Sequence, residues 1–497
     1  MKALLIYPEF PNTFWSFRYA LKFIHRKASS PPLGLLTIAA MLPEAWEKRL
    51  VDMNVESLDD EDMKWADLVF LSAMSVQKES VNGVIERCKA AGVRIVAGGP
   101  LFTTEYEDFG NVDHLVLNEA EITMPRFLED FRNGDAGHFY TTDQWADIRK
   151  TPIPLWGLIN MKHYASINIQ YSRGCPFNCE FCDITFLCGR RPRTKDKDQV
   201  IAELESVYAS GFRGQVFFVD DNFIGNKKKL KEEILPAVIE WMERRRHPFS
   251  FNTQASIELS DHKDLMEMMV GAGFDVVFIG IETPHEQSLA ECSKFQNKDR
   301  DLLASVRNIQ KSGLEVQGGF IVGFDSDPLT IFDTQIRFIQ NSGVVTAMVG
   351  LLIALPRTQL YERLKKEKRL LLKDVSGDNT DFSTNFIPMM EYDLLISGYK
   401  KVLSTLYAPR HYYKRIRTFL REYMPPRKKS FHFRFNYIGA FIRSIIVLGL
   451  IGKERFHYWS LLFWTMFSRP RLLPQAVTLS IYGFHFRKIF EERLRRQ

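Results

Sequence analysis

One pattern recurs through the first three quarters of the chain: a short apolar run, a loop, then a segment with helical spacing. In residues 1–140 the runs are "KALLIYP", "RLVDMN", "DLVFLSAM", "RIVAGG" and "VDHLVL", with "PPLGLLTIAAMLPE" and "QKESVNGVIERCKAAG" between them. Runs that are apolar at consecutive positions have no face to turn to water. They predict strands covered on both sides, the property of parallel sheets. The reading is a doubly wound α/β domain over residues 1–140, with ligands at the carboxyl ends of its strands. Residues 141–165 contain "TPIPLWG", whose prolines lack the N–H of a sheet ladder, and predict a linker. A second series runs through "SINIQYS", "QVFFVDD", "FSFNTQAS", "DVVFIGIE", "VQGGFIVGF" and "AMVGLLIAL". Six such units in residues 166–370 predict a partial parallel barrel, with function on the loops that follow its strands. The alternation then stops, and residues 371–497 predict a mainly helical extension.

Half of the six cysteines fall within eight positions of "SRGCPFNCEFCDI", just after the first strand of the second series. Six cysteines in 497 residues are too few for a disulfide framework. Cys175, Cys179 and Cys182 instead predict three thiolate ligands in a reducing compartment. A closed zinc site takes four ligands, and no fourth cysteine or histidine stands at finger spacing, although Cys188 is close. Three thiolates with one position open suit a [4Fe–4S] cluster whose fourth iron takes another ligand. The bland alternative is a zinc or iron–sulfur protein for binding or electron transfer. It leaves the six barrel units around the loop without a purpose.

The run "CPFNCEFC" resembles the Cys-x3-Cys-x-aromatic-Cys signature of the radical S-adenosylmethionine (SAM) superfamily, with Phe181 at the aromatic position. The resemblance implies that the open iron chelates SAM, that an electron from the cluster cleaves the sulfonium, and that a 5′-deoxyadenosyl radical takes a substrate hydrogen. It also implies SAM contacts on successive strands. "VFFVDDNFIGN" offers Asp220, Asp221 and Asn222 near the methionyl ammonium, which needs acceptors. "FNTQAS" offers Gln254 and Ser256, and "GIET" offers Glu282. "GGFIVGFDSD" offers Gly319 and Gly323, where a flat base approaches backbone. "ALPRTQLYERL" departs from the usual Pro-Gly-Thr strand ending, with Arg357 in place of the glycine.

A Rossmann-like domain ahead of such a barrel resembles the cobalamin-binding subclass. That implies cofactor contacts from Ser72, Ser75 and Gln77 in "SAMSVQ", Gly98 and Gly99 in "AGGP", and Glu119 in "LNEAE". Many cobalamin domains carry Asp-x-His-x-x-Gly, whose histidine binds cobalt. Here Asp52 remains, Asn54 stands at the histidine and Ser57 at the glycine, so cobalt is expected to be held without a protein imidazole; the alternative is a degenerate domain that binds no cobalamin. Together with "PPLGLLTIAA", "DDNFIGN" and the basic aromatic C-terminal region, the chain resembles the hopanoid C-2 methyltransferase group over nearly its full length. The resemblance implies methylation of an unactivated carbon of an apolar or lipid substrate through methylcobalamin, with a reductase, flavodoxin or ferredoxin as electron donor. The same radical serves cyclisation, rearrangement or carbon–carbon coupling, and cofactor motifs do not separate these.

The net charge of +6 conceals an asymmetry: from residue 405 onward there are 19 Lys/Arg against 4 Asp/Glu. No zinc finger, helix-turn-helix or aromatic RNA-binding signature accompanies this charge, so nucleic acid is not the expected partner. No apolar run reaches the length of a membrane span. "YIGAFIRSIIVLGLIG" and "YWSLLFWTMF" suit helices lying in a membrane interface, with Trp459 and Trp464 at headgroup level, or a helical cap on the barrel. The first residues, "MKALLIYPEFPNTFW", are not a signal peptide, so the chain is expected in the cytoplasm or peripherally on the inner face of the membrane. A fourth thiolate on the open iron would block SAM. Cys188→Ser is therefore expected to keep the cluster and Cys182→Ser to lose it, as checked by iron and sulfide content and by visible absorbance after anaerobic reconstitution.

Overall fold

The computed structural model describes residues 1–371, 376–378, 380–425 and 435–496. Its first sheet contains β1 (Lys2–Tyr7), β2 (Glu47–Asp52), β3 (Leu68–Ser72), β4 (Arg94–Gly98), β5 (His114–Val116) and β6 (Phe139–Tyr140). All pairings are parallel, in the order β2-β1-β3-β4-β5-β6. The inner strands bury Ala3–Ile6 of β1 and Leu68–Leu71 of β3, as their unbroken apolar runs require. The order reverses between β1 and β3, and the crevice at such a reversal is where doubly wound sheets bind ligands. The short edge strand β6 carries only two residues and had no signal in the sequence pattern.

The second sheet contains β7 (Ser166–Ile169), β10 (Gly214–Phe218), β11 (Phe249–Ala255), β12 (Phe274–Glu282), β13 (Glu315–Val322) and β14 (Ala347–Leu351). Between β7 and β10 lies a small antiparallel ribbon, β8 (Ser172–Arg173) with β9 (Arg193–Thr194). The six long strands run parallel in the order β14-β13-β12-β11-β10-β7, an open half-barrel. Each expected apolar run is one of these strands. Helices return the chain between them, with ends set by ordinary local chemistry. Helix Leu302–Ser312, for example, starts at Asp301, whose side chain accepts the Ala304 N–H at 2.9 Å, and stops at Gly313 with φ +105°.

A half-barrel has two strand edges and an open flank, and the rest of the chain covers them. On the β14 edge, Tyr399 and Tyr407 of helix Tyr392–Tyr407 donate to the Val349 and Ala347 carbonyls at 2.8 and 2.5 Å. These bonds use main-chain acceptors that would otherwise invite another strand. At the β7 edge, Ser166 N–H and Oγ both donate to the Ser29 carbonyl, and Ala28 bridges Tyr164. The flank is closed by the segment around Phe14–Ser16 and the final helix, Leu473–Arg496. Phe14 stacks on Phe486 at 4.0 Å, and Trp15 donates to the Met348 sulfur at 2.9 Å while packing edge-on against Phe278. The extension is helical, as expected, with helices Pro409–Glu422, Phe435–Ser444 and Arg455–Ser468 among its elements.

Phe14 is fully buried in this seam. Phe14→Ala is expected to cost about 3–5 kcal/mol, read as a lowered denaturant midpoint of the full chain.

Candidate active site

The cysteine loop leaves β8 through Gly174, at φ +95°. A Cβ there would meet the carbonyl oxygens of Arg191, Cys188 and Gly189, each at 2.9 Å, so the loop neck closes only around a glycine. The Cys175 N–H then donates to Gly189 O, which completes the neck. The loop tip is pinned to the far side of the barrel. Glu180 N–H donates to Cys292 O, Leu360 N–H donates to Glu180 O, and the Glu180 carboxylate takes Arg363 through two bonds of 2.6 and 3.1 Å. Burial pushes the Cys175 and Cys182 thiols up, and Cys179 pushes both further. Cys175 and Cys182 therefore lie in a low-dielectric site beside Cys179, in which positive charge favours their thiolates.

That charge includes Lys294, a residue without a sequence signal, lying in the irregular run after "GIETPHEQSLAECS". Burial works against its ammonium, but Glu282, at 2.7 Å, and the Cys179 thiol outweigh this and hold it protonated. The Lys294 ammonium also lies 6.0 Å from the centre of the Phe181 ring, and Gln296 donates to the Cys179 sulfur at 3.7 Å. Among the described residues, no three His, Cys, Asp or Glu side chains converge as they would around one metal ion. Three thiolates from one loop are the donor set that a four-iron cluster takes when one iron is left open.

The loop neck is also tied to the first domain by buried ions. Arg193 on β9 makes two 2.7 Å bonds to Glu119, and Arg173 on β8 makes bonds of 3.0 and 2.7 Å to Glu121 and a longer one, at 3.4 Å, to Glu119. Arg193 also donates to Cys188 O at 2.9 Å. Burial alone would raise the Glu121 carboxyl, but the Arg173 guanidinium reverses this and holds it at about 2. Nothing in the sequence pairs these residues, which lie about fifty to seventy-five positions apart.

The residues expected at SAM divide into two groups. Asp221 and Gln254 line the central cavity, and Asp221 accepts the Gly174 N–H at 3.0 Å. Asp220 is fully buried and takes Ser172 N–H, Ser172 Oγ–H and Tyr171 N–H, so it fastens β10 to the start of the cysteine loop. Asn222 accepts the Ser256 N–H at 3.1 Å and joins the ends of β10 and β11, while the Ser256 hydroxyl is buried without a partner. Glu282, at φ +63°, is engaged by Lys294. Phe181 packs near Phe324, with ring centres 6.3 Å apart. The space a Cβ of Gly319 would fill belongs to Phe278, at 2.8 Å. Gly323, at φ +103°, donates to Asp327 at 2.9 Å. Arg357, the departure from Pro-Gly-Thr, also has positive φ, +68°, and its guanidinium reaches Glu107 of the first domain.

A cavity of about 1900 Å³ runs from the carboxyl ends of β1, β3 and β4 into the half-barrel and along the C-terminal helices. Ser72, Gly98, Gly99 and Glu119 line it. The two glycines are also required internally: a Cβ on Gly98 would meet Val116 O, and one on Gly99 would meet Ser72 Oγ, each at 2.4 Å. Ser75 is engaged by Glu105 at 3.0 Å, and Gln77 accepts Met74 N–H while donating to Pro8 O. Asn54, at the histidine position of the Asp-x-His-x-x-Gly pattern, lines the cavity. Its amide is held by Asp52, Pro8 O and Phe10 N–H. The one histidine lining the cavity, among the described residues, is His247, beside the start of β11 at the opposite end. The volume exceeds the several hundred Å³ of ordinary small-ligand sites and fits a large cofactor with room for a substrate.

Three family models match the chain: B12 binding domain over residues 23–128, Radical SAM superfamily over 169–339, and Domain of unknown function (DUF4070) over 358–497. An uncharacterized methyltransferase of Synechocystis sp. is 40% identical over 491 residues, 98% of this chain and 91% of that protein. The hopanoid C-2 methylase of Rhodopseudomonas palustris is 32% identical over 92% of this chain and 88% of its own. Among solved structures, the cobalamin-dependent SAM radical enzyme OxsB, with aqua-cobalamin and SAM bound, superposes with a TM-score of 0.63 at 17% identity, covering 100% of this chain and 80% of that one. The radical SAM methyltransferase TsrM of Kitasatospora setae, with cobalamin and a [4Fe–4S] cluster bound, gives 0.58 at 14% identity over 74% and 78%. At these identities the two structures show a shared fold.

The Glu121 carboxyl is depressed in the folded chain, so its stabilising effect is present above its unfolded value near 4.5 and is lost as pH falls toward 2. Wild type is expected to exceed Glu121→Gln by about 3 kcal/mol above pH 5, with the gap closing as pH falls toward 2. Paired denaturation midpoints across that range check it.

Proposed function

We propose that this chain, which belongs to the cobalamin-dependent radical SAM methyltransferase family, methylates an unactivated carbon of an apolar, lipid-type molecule. The observation that carries the reading is the single cavity shared by the two halves. Its walls include Ser72 and Gly99 from the first sheet, Asp221 and Gln254 from the second, and Leu187 and Cys188 from the cysteine loop. A substrate inside it lies against both halves and against the segment that follows Cys182, the proximity that a two-cofactor reaction requires. When bound, the [4Fe–4S] cluster with SAM supplies hydrogen-atom abstraction, and cobalamin supplies the methyl carrier.

The chain's own residues hold, orient and exclude. Cys175, Cys179 and Cys182 hold the cluster, and Lys294 offsets their negative charge. Asp221 and Gln254 face the SAM region, and Ser72 and the Gly98–Gly99 backbone face the cobalamin region. Trp15, Phe17, Leu21 and Ile24 line the shared space with apolar surface that keeps water from a reactive centre. The apolar wall, and a relative named for acting on a hopanoid, support a lipid-type substrate. A reductase, flavodoxin or ferredoxin is the proposed electron donor, and the cytoplasm, at the inner face of a membrane, the proposed place of work. Among the described residues no helix is long and apolar enough to cross a bilayer, so the association we propose is peripheral.

Anaerobically reconstituted protein with SAM and a reductant is expected to release 5′-deoxyadenosine and methionine, and Cys179→Ala to fall to background. Lipid profiles of cells with and without the gene are expected to differ by 14 mass units in an apolar product. A dehydrogenated or cyclised product instead of a methylated one would replace methyl transfer with another radical outcome.

A further inference from the structure

The extension turns much of its apolar surface outward. Along the continuous helical stretch Phe435–Ile451, Ile438, Ile442, Ile446 and Leu450 recur every fourth residue, and all four are exposed. Spacing by four puts them on one face. Leu450 is 61% exposed and Ile451 is 73% exposed. The next helix, Arg455–Ser468, buries Tyr458, Leu461, Leu462 and Thr465 and exposes Phe456, Phe463, Met466 and Phe467, with Phe456 at 75% and Phe467 at 80%. The two stripes adjoin at Trp459, which donates to Gly449 O at 3.0 Å and stacks on Phe463 at 5.7 Å. A set of large aliphatic and aromatic side chains this dense is uncommon on a monomer that meets only water.

The charge around the face has one sign. Lys453 and Arg455 lie between the stripes, and Arg469 and Arg471 follow the second helix. Arg417 and Arg421 each lie 5.8 Å from the Trp464 ring centre. Between residues 435 and 471 the sequence has a single acidic residue, Glu454, which is buried and paired with Arg487. Helices with apolar and aromatic stripes and a cationic border lie in the headgroup region of anionic bilayers, where each nearby Lys or Arg adds attraction. Trp459 and Trp464 are half-buried, so the exposed Leu450, Ile451, Phe456, Phe463 and Phe467 are the inserting groups instead.

We infer that the helical pair 435–468 is a docking surface for an anionic lipid bilayer, with these five side chains at the acyl boundary and the flanking Lys and Arg on the headgroups. The first of the two helices also reaches the cavity, whose lining includes Ile438, Ala440 and Phe441. Docking therefore sets the cavity beside the membrane rather than beside bulk water. The inference rests on the lipid-substrate reading only for what enters the cavity, and the docking itself stands apart from it.

The test is flotation of the full-length reconstituted enzyme with phosphatidylcholine vesicles, with and without one quarter phosphatidylglycerol. Wild type is expected to float with the anionic vesicles, less so at high salt, and weakly with the neutral ones. The triple variant Leu450→Ser, Phe463→Ser, Phe467→Ser is expected to lose at least ~10-fold in bound fraction while remaining monodisperse and cleaving SAM in detergent at the wild-type rate. If that variant misfolds, Phe456→Ser with Ile451→Ser serves in its place. Equal flotation of variant and wild type, or no flotation of wild type, overturns the inference. So does a wild-type dimer that the substitutions split, which would make a second copy the occupant. Docking as expected with no SAM cleavage by wild type would instead sink the methyltransferase reading and leave the surface standing.

Discussion

Arg173 and Arg193 reach out of the cysteine loop's ribbon and are held by Glu119 and Glu121 of the other domain. The geometry of the site follows from that crossing. The ribbon fixes the neck of the loop, the neck fixes the three cysteines, and the carboxylates fix the ribbon relative to the first sheet. Buried ions are costly to desolvate, and breaking one pair leaves its partner charged and alone, at a cost of about 3–5 kcal/mol. The arrangement therefore tolerates little sliding of one domain over the other, which suits two cofactor regions that must share one substrate. Arg357 adds a second strap, from the end of the barrel's last strand to Glu107.

The layout was legible because it depends on local patterning. Unbroken apolar runs such as "LVFLS" and "AMVGL" are strands, and the cysteine spacing marks the loop that follows the first barrel strand. What the sequence did not carry were pairings between distant positions. Lys294 sits in a segment with no period, and its meaning comes from the fold bringing it to Glu282 and Cys179. Glu119 has the place expected of a cofactor contact, yet two arginines and the Ala146 N–H engage its carboxylate. Asp220 and Asn222, read as polar ends facing SAM, are bonded to neighbouring strands. A polar residue at a strand's carboxyl end has the same sequence signature whether it faces a ligand or joins two strands, so position alone does not separate the roles.

Asn54 illustrates the reverse case. At the position where the Asp-x-His-x-x-Gly pattern has its histidine, the asparagine ties Asp52 to the Pro8–Phe10 segment at the carboxyl end of β1. The bonded asparagine thus forms part of the wall at the sheet's crevice. Its partner Asp52 also accepts Tyr164 Oη–H at 3.0 Å, so the wall continues into the linker ahead of the barrel.

The stack of Phe14 on Phe486 joins positions separated by almost the whole chain. Its consequence is temporal. Domains generally form in order as the chain leaves the ribosome, at roughly 5–20 residues per second. The first sheet and all six barrel strands are made before helix Leu473–Arg496 exists, so for many seconds of synthesis the barrel's flank has no cover from that helix. During this interval the barrel strands on that flank lack this cover, and the last helix supplies it. The moment at which the barrel's cover is completed is thus set by where along the chain the closing helix is encoded.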